Sequence, residues 1–193
     1  MANNDDDYYI KKTLDGDSTS FGFLVNKYQN MVFTLAIKML KHREESEEVS
    51  QDTFIKAYKS LSKFNGESKF STWLYRVAYN TCLDRIKKNT KYNSNVEIND
   101  VTSNEIFQAE NIFDSLENKE RSEIIQECMN RLPEDQRIII HLFYFEELSL
   151  KEIIDVVSMS EGNLKVKLYR ARKKLFTIFK ESVEPEIYNS YER

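Results

Sequence analysis

The sequence predicts an all-α protein made of two small helical domains joined by a flexible acidic linker. Three observations predict it. Only four Gly and two Pro occur in 193 residues, and 31% of the residues are charged, a composition that favours helix over sheet. Apolar residues recur at steps of three and four along most of the chain. Between 89 and 118 that period weakens, and seven Asn and six acids stand against one Lys. A stretch of that length is too long for a loop inside one compact domain.

The formal net charge of −4 argues at first against a nucleic-acid partner, but its distribution argues the other way. Residues 21–88 carry +5 and residues 119–180 carry +2, while residues 1–20, 89–118 and 181–193 carry −3, −5 and −3. Two basic bodies separated by an acidic segment fit a polyanion better than the average suggests. The expected division is therefore a tail with a short helix at 1–20, a first domain at 21–88, a linker at 89–118, a second domain at 119–180 and a tail at 181–193. Cys82 and Cys128 each sit on an apolar helical stripe with no second ligand at metal spacing, so both read as buried, reduced thiols of a cytoplasmic protein. No apolar run is long enough to span a membrane and no signal-peptide pattern opens the chain.

Taken in order, residues 1–17 are polar, acidic at Asp5, Asp6 and Asp7, and expected to be loose at the start, with a short helix beginning near Tyr8. From Phe21 a stripe of Leu24, Tyr28, Met31, Val32, Leu35, Ala36 and Met39 predicts an amphipathic helix of about five turns. Glu44, Glu45, Glu47 and Glu48 then open a second helix, where negative charge suits the positive end of the helix dipole. Its apolar side is Val49, Phe54, Ala57, Tyr58, Leu61 and Phe64. Its polar side, Glu45, Glu48, Gln51, Asp52 and Lys56, reads either as a solvated face or as a docking surface for basic groups.

Residues 64–88 hold Phe64, Phe70, Trp73, Tyr75 and Tyr79, including the only tryptophan, with five cations against two acids. Ser71 is the expected cap of a helix from Thr72, and Gly66 is the hinge of the short loop before it. Trp73, Leu74, Val77, Ala78, Cys82 and Ile86 predict the buried stripe; Tyr75, Arg76, Tyr79, Asn80 and Lys87 predict the other side. Aromatic faces beside cations suit unstacked bases and phosphates, although aromatics at helical spacing also commonly form core.

Beyond the linker, Ile124, Ile125, Cys128, Met129 and Leu132 resume a helical stripe. Pro133 is expected at the first position of the next helix, which carries Ile138, Ile139, Leu142 and Phe143. His141 reads as a packed histidine, since no partner ligand stands at metal spacing. Ser149 and Glu152 form a capping box, and Ile153, Val156 and Val157 follow. After a turn at Ser158, Ser160 caps a last helix with seven cations and no acid between 163 and 180. A short helix, a tight turn and a basic helix make a helix-turn-helix, although basic amphipathic helices also bind membranes and protein partners.

Four segments in this order resemble the bacterial sigma factors of RNA polymerase, and most of all their compact extracytoplasmic function (ECF) group. E-E-S-E-E-V-S-Q-D-T-F at 44–54 is similar to the family's D-x-x-Q-x-x-F helix of region two. F-N-G-E-S-K-F-S-T-W-L-Y-R-V-A-Y-N at 64–80 resembles its promoter-melting segment. L-P-E-D-Q-R at 132–137 resembles the opening of region four, and 160–175 its recognition helix. The family usually has Ala where Ile154 stands, Gly at Ser158, Thr at Asn163, a small polar residue at Val166, and Ala and Asp at Ser46 and Glu48.

The resemblance implies a sigma factor that binds core RNA polymerase and directs promoter recognition, DNA melting and transcription initiation, with no catalysis and no cofactor. Glu45, Glu48, Gln51, Asp52 and Lys56 would face the polymerase. Phe64, Asn65, Lys69, Trp73, Tyr75, Arg76, Asn80, Arg85, Lys87 and Lys88 would hold the minus-ten element. Asn163, Lys165, Val166, Lys167, Tyr169, Arg170, Arg172, Lys173 and Lys174 would hold the minus-thirty-five element. The acidic linker would run through the polymerase's nucleic-acid channel. An anti-sigma factor is a further partner that the resemblance admits. Two rival readings are a stand-alone helix-turn-helix regulator, which leaves 64–88 without a role, and a helical adaptor that binds only protein. No carboxylate pair, activated nucleophile, glycine-rich phosphate loop or metal cluster supports an enzyme.

Overall fold

In a computed structural model of the chain, residues 3–90 and 119–182 are described. Every regular element among them is helical. The expected linker lies almost wholly outside the described residues, as does most of the C-terminal tail. The chain divides into two compact units, taken here in turn.

The first unit comprises α1 (Asn3–Leu14), α2 (Ser18–Leu40), α3 (Arg43–Ser60) and α4 (Phe70–Thr90). α1 begins at Asn3, just ahead of the acidic run, rather than near Tyr8, and docks on α2. Ile10 and Thr13 are buried, and the Tyr9 ring stacks on Phe23 at 4.5 Å. Asp17 caps α2, accepting from the Thr19 N–H at 3.1 Å; the Thr19 hydroxyl at 2.5 Å, and then the Ser20 hydroxyl at 2.8 Å, hold its carboxyl below the ordinary value. The helix runs 23 residues, more than a turn beyond expectation, because this cap lies ahead of the first apolar residue. Leu24, Val32, Leu35, Ala36 and Met39 line its buried side.

Lys41, at φ +56°, turns the chain out of α2, and the His42 imidazole caps α3 through the Glu45 N–H. The buried side of α3 is built from small residues, Ser46, Val49, Thr53 and Ala57, which let the helices approach closely. Ser46 and Thr53 bury hydroxyls without loss because each donates to a carbonyl one turn back, at 2.7 Å. Tyr58 corrects the expected stripe: it is exposed, with its edge on Phe21.

In α4 the helix starts at Phe70, two residues early, so Ser71 lies inside the first turn and is not the cap. Its buried side is Phe70, Leu74, Tyr75, Ala78, Thr81 and Cys82.

Residues 119–182 contain α5 (Lys119–Arg131), α6 (Glu134–Ile140), α7 (Leu150–Val157) and α8 (Glu161–Ser182). Pro133 stands one position ahead of α6, where its missing N–H costs nothing. The helix then widens into a π turn over His141–Phe145. Arg137 is buried, and burial depresses its pKa; it donates to the Leu132 carbonyl at 3.4 Å. His141 is packed inside, 3.1 Å from the Glu146 carboxylate. The capping box at α7 forms: Ser149 Oγ and N–H both donate to Glu152, and the Glu152 N–H returns to Ser149 Oγ. Cys82 and Cys128 are both buried free thiols, and burial pushes Cys128 up.

Ser158 joins α7 to α8 at φ +54°, a left-handed conformation that crowds a Cβ. Replacing Ser158 with Gly should raise stability by about 1 kcal/mol, read as a higher denaturant midpoint with an unchanged slope.

Candidate nucleic-acid interface

Phe64 leaves a short 3-10 turn in extended conformation, and Phe70 opens α4. Their rings meet edge to face at 5.7 Å. The residues between them form a loop in which Gly66, at φ +74°, makes the turn and the Asn65 side chain accepts the Glu67 N–H. Trp73 completes a triangle, 5.5 Å from each phenylalanine. Aromatic pairs of this kind contribute about 0.5–1.5 kcal/mol each beyond their buried area.

From this base, Lys69, Trp73, Arg76, Asn80 and Lys87 recur at helical steps along one outward stripe. Trp73 is half-buried; the other four are exposed. Asn65 is exposed at the mouth of the loop.

Tyr75 does not lie on the outward side of α4 where it was expected. It is 2% exposed, and its ring belongs to the core. At about 100° per residue it lies ~120° from the outward stripe. Arg85 is also turned away, and its Nη1 donates to Glu48 at 3.0 Å. Lys88 is exposed beside the stripe rather than on it.

The polar side of α3 divides in two. Glu45, Glu48 and Lys56 reach sideways to α4, to Asn89 at 3.2 Å, Arg85 at 3.0 Å and Asp84 at 3.3 Å. Gln51 and Asp52 stay exposed. Ile55 and Tyr58, both exposed large residues, continue the line of Gln51 at steps of four and three. The sequence reading missed these two by assigning Tyr58 to the core and Ile55 to neither face. A cleft of about 330 Å³ opens between Val25, Gln29 and Phe33 of α2 and Glu47, Gln51 and Phe54 of α3.

On α8, Asn163, Val166, Arg170 and Lys174 recur on one exposed face. Val166 is 50% exposed although apolar. Lys165 pairs with Glu161 one turn back at 2.6 Å, and this pair holds the Glu161 carboxyl below its ordinary value. Lys167 pairs with Asp135 of α6 at 2.5 Å. Tyr169 is half-buried.

Two residues expected at the DNA backbone are largely covered. Lys173 is 9% exposed, its long stem covered by the protein. Arg172 lies 5.4 Å from the rings of both Phe143 and Tyr144, so its guanidinium serves packing of α8 on the π turn.

Residues 24–92 match the family model for sigma-70 region 2, and residues 122–175 match that for sigma-70 region 4. The ECF RNA polymerase sigma factor SigW of Bacillus subtilis is 34% identical, with 86% of this chain and 92% of that protein covered. RNA polymerase sigma-H factor of Pseudomonas aeruginosa is 30% identical, covering 90% and 93%. Among solved structures, CnrH in complex with the cytosolic domain of CnrY superposes with a TM-score of 0.66 at 20% identity, over 93% of this chain and all of that one.

Because Trp73 is the only tryptophan, it reports the triangle directly. Phe64→Ala should shift its emission toward that of solvated indole and lower stability by about 2 kcal/mol. Unchanged emission would show that the rings do not shield one another in solution.

Proposed function

The chain belongs to the ECF sigma factors of RNA polymerase, and from that premise we propose which of its surfaces carries each step of initiation. It binds core RNA polymerase and directs promoter recognition and transcription initiation. Sigma factors are known as non-catalytic initiation factors, and nothing in the reading asks this chain for bond chemistry. Among the described residues no helix is long and apolar enough to cross a membrane; the protein acts where the polymerase is, in the cytoplasm.

Residues 21–88 serve as the region that docks on polymerase and holds the minus-ten element. Residues 119–180 serve as the region that reads the minus-thirty-five element, and 89–118 as the acidic connection.

The observation that carries this reading is the aromatic triangle with its outward stripe. An unstacked base finds the Trp73 and Phe64 faces beside Asn65 and Asn80, while Lys69, Arg76, Lys87 and Lys88 meet phosphates. Base stacking on an aromatic contributes about 1–3 kcal/mol, comparable to the cost of unstacking the base. Sites of this type separate strands by holding one of them.

For polymerase the exposed groups of α3 lead: Gln51, Asp52, Ile55 and Tyr58, with the α2–α3 cleft beside them. Glu45, Glu48 and Lys56 contribute once partner groups replace their bonds to α4. These are exposed pairs, each contributing about 0–1 kcal/mol, so the exchange costs little.

On α8, Val166 suits a thymine methyl, Arg170 a guanine edge, and Asn163 and Lys165 the flanking contacts. Lys167 and Lys174 position the helix on phosphates. A stand-alone regulator would leave the region 2 match of residues 24–92 unexplained; a protein-only adaptor would leave both the region 2 and the region 4 matches without the DNA-directed role they point to.

Run-off transcription with core polymerase, from the promoter upstream of the chain's own operon, tests the reading. The chain should confer a defined start, and a double Gln51→Ala, Ile55→Asp variant should lose holoenzyme on a sizing column. No defined start from any template would contradict the reading. Arg170→Ala should relax promoter choice at one position by about 1–3 kcal/mol; a uniform loss on all promoters would make Arg170 a phosphate contact.

A further inference from the structure

No surface proposed for DNA or polymerase lies on α1, yet α1 is docked on α2 through a buried carboxylate. Asp5 and Asp7 of its acidic run are exposed, but Asp6 is 5% exposed. Its Oδ1 lies 2.6 Å from Lys27 Nζ, and its Oδ2 accepts from the Tyr28 hydroxyl at 2.5 Å. A carboxylate is held out of water only where its oxygens are bonded and its charge is met, and α2 supplies both groups from consecutive residues. Burial, and then the bond to Asp6, push the Tyr28 phenol up to about 12, and the same carboxylate raises Lys27. Tyr28 therefore remains a neutral donor throughout the physiological range.

The Tyr28 ring does not stop at α2. It packs 5.6 Å from the ring of Phe70, the first residue of α4. Phe70 in turn meets Phe64 and Trp73. Since Phe64 and Phe70 stand at the two ends of the loop 65–69, a continuous line of contact runs from α1 to that loop. It passes from the Asp6 carboxylate to the Tyr28 hydroxyl, then through the Tyr28 ring to Phe70, and so to Phe64 and Trp73.

We infer that Asp6 and Tyr28 are positioning residues for strand opening: by fixing the Phe70 ring from behind, α1 holds the loop 65–69 and Trp73 in the geometry that receives an unstacked base. Neither residue touches DNA. The inference rests on the reading of residues 64–88 as the melting segment. It predicts that the energy of the α1 dock is felt when the duplex must be opened, and much less when the bases are already free.

The test compares holoenzymes carrying Asp6→Asn, Tyr28→Phe or Asn80→Ala on two forms of one promoter. One form is fully duplex; the other is opened in advance by mismatches across the minus-ten region. Tyr28→Phe keeps the ring on Phe70 and removes only the hydroxyl, so it reads the relay even if Asp6→Asn folds poorly. Asp6→Asn should lower initiation about tenfold on the duplex and within about twofold on the opened template, with Tyr28→Phe in between and holoenzyme assembly unchanged. Equal loss on both templates, or loss on neither, would overturn the inference and leave α1 a stabilising element only. A loss in Asn80→Ala, which touches the base and should cost on both templates, without a duplex-specific loss in Asp6→Asn or Tyr28→Phe would overturn the relay alone. Full initiation by all three variants on both templates would overturn the reading of 64–88 beneath it, and the relay with it.

Discussion

The first unit depends on one contact, the meeting of Phe64 and Phe70 across the loop between them. A loop of this size with a glycine turn has no stiffness of its own. Closing its ends with two rings makes it a fixed projection from α4. The same contact sets the start of α4, and with it the phase of every residue that follows. Phe70 can lead the helix inward only if Leu74, Ala78 and Cys82 follow it into the core. Lys69, Trp73, Arg76 and Asn80 then have to face out. The outward stripe is thus a consequence of where the helix is pinned.

A second constraint is the lateral bonding between α3 and α4. Glu48 holds Arg85, Lys56 holds Asp84, and Glu45 holds Asn89. These bonds keep the basic edge of α4 and the acidic edge of α3 from acting as independent patches. Polar side chains that read in sequence as two outward surfaces are partly a seam within the unit. What remains outward is narrower and more mixed: Gln51, Ile55 and Tyr58 on α3, and the Lys69 to Lys87 stripe on α4.

The helical architecture was legible because its signals are local. Caps such as the Ser149–Glu152 box and apolar steps such as Leu24 to Met39 are readable within one turn or a few. The packed His141 and the buried cysteines followed from the same logic. Tyr75 was misread because both phases of α4 offer aromatics; only the tertiary contact of Phe70 chooses between them. The different surroundings of Arg172 and Lys173 were not legible because a run of cations looks uniform in sequence, whereas one lies over rings of the π turn and the other is buried. The π turn itself has no sequence mark that propensity would detect. The docking of α1 was hidden for a related reason: a carboxylate buried among Lys27 and Tyr28 is indistinguishable, by composition, from its exposed neighbours Asp5 and Asp7.

The central claim is that the face set by the aromatic triangle, and not the other side of α4, holds the separated strand. Permanganate reactivity of thymines in a promoter bound by core polymerase and this chain measures that separation directly. Reactive thymines should appear around the start site with the wild-type chain, fall sharply with Arg76→Ala plus Asn80→Ala, and persist with Tyr75→Phe. Strand opening that is indifferent to Arg76 and Asn80 but abolished by Tyr75→Phe would contradict the account.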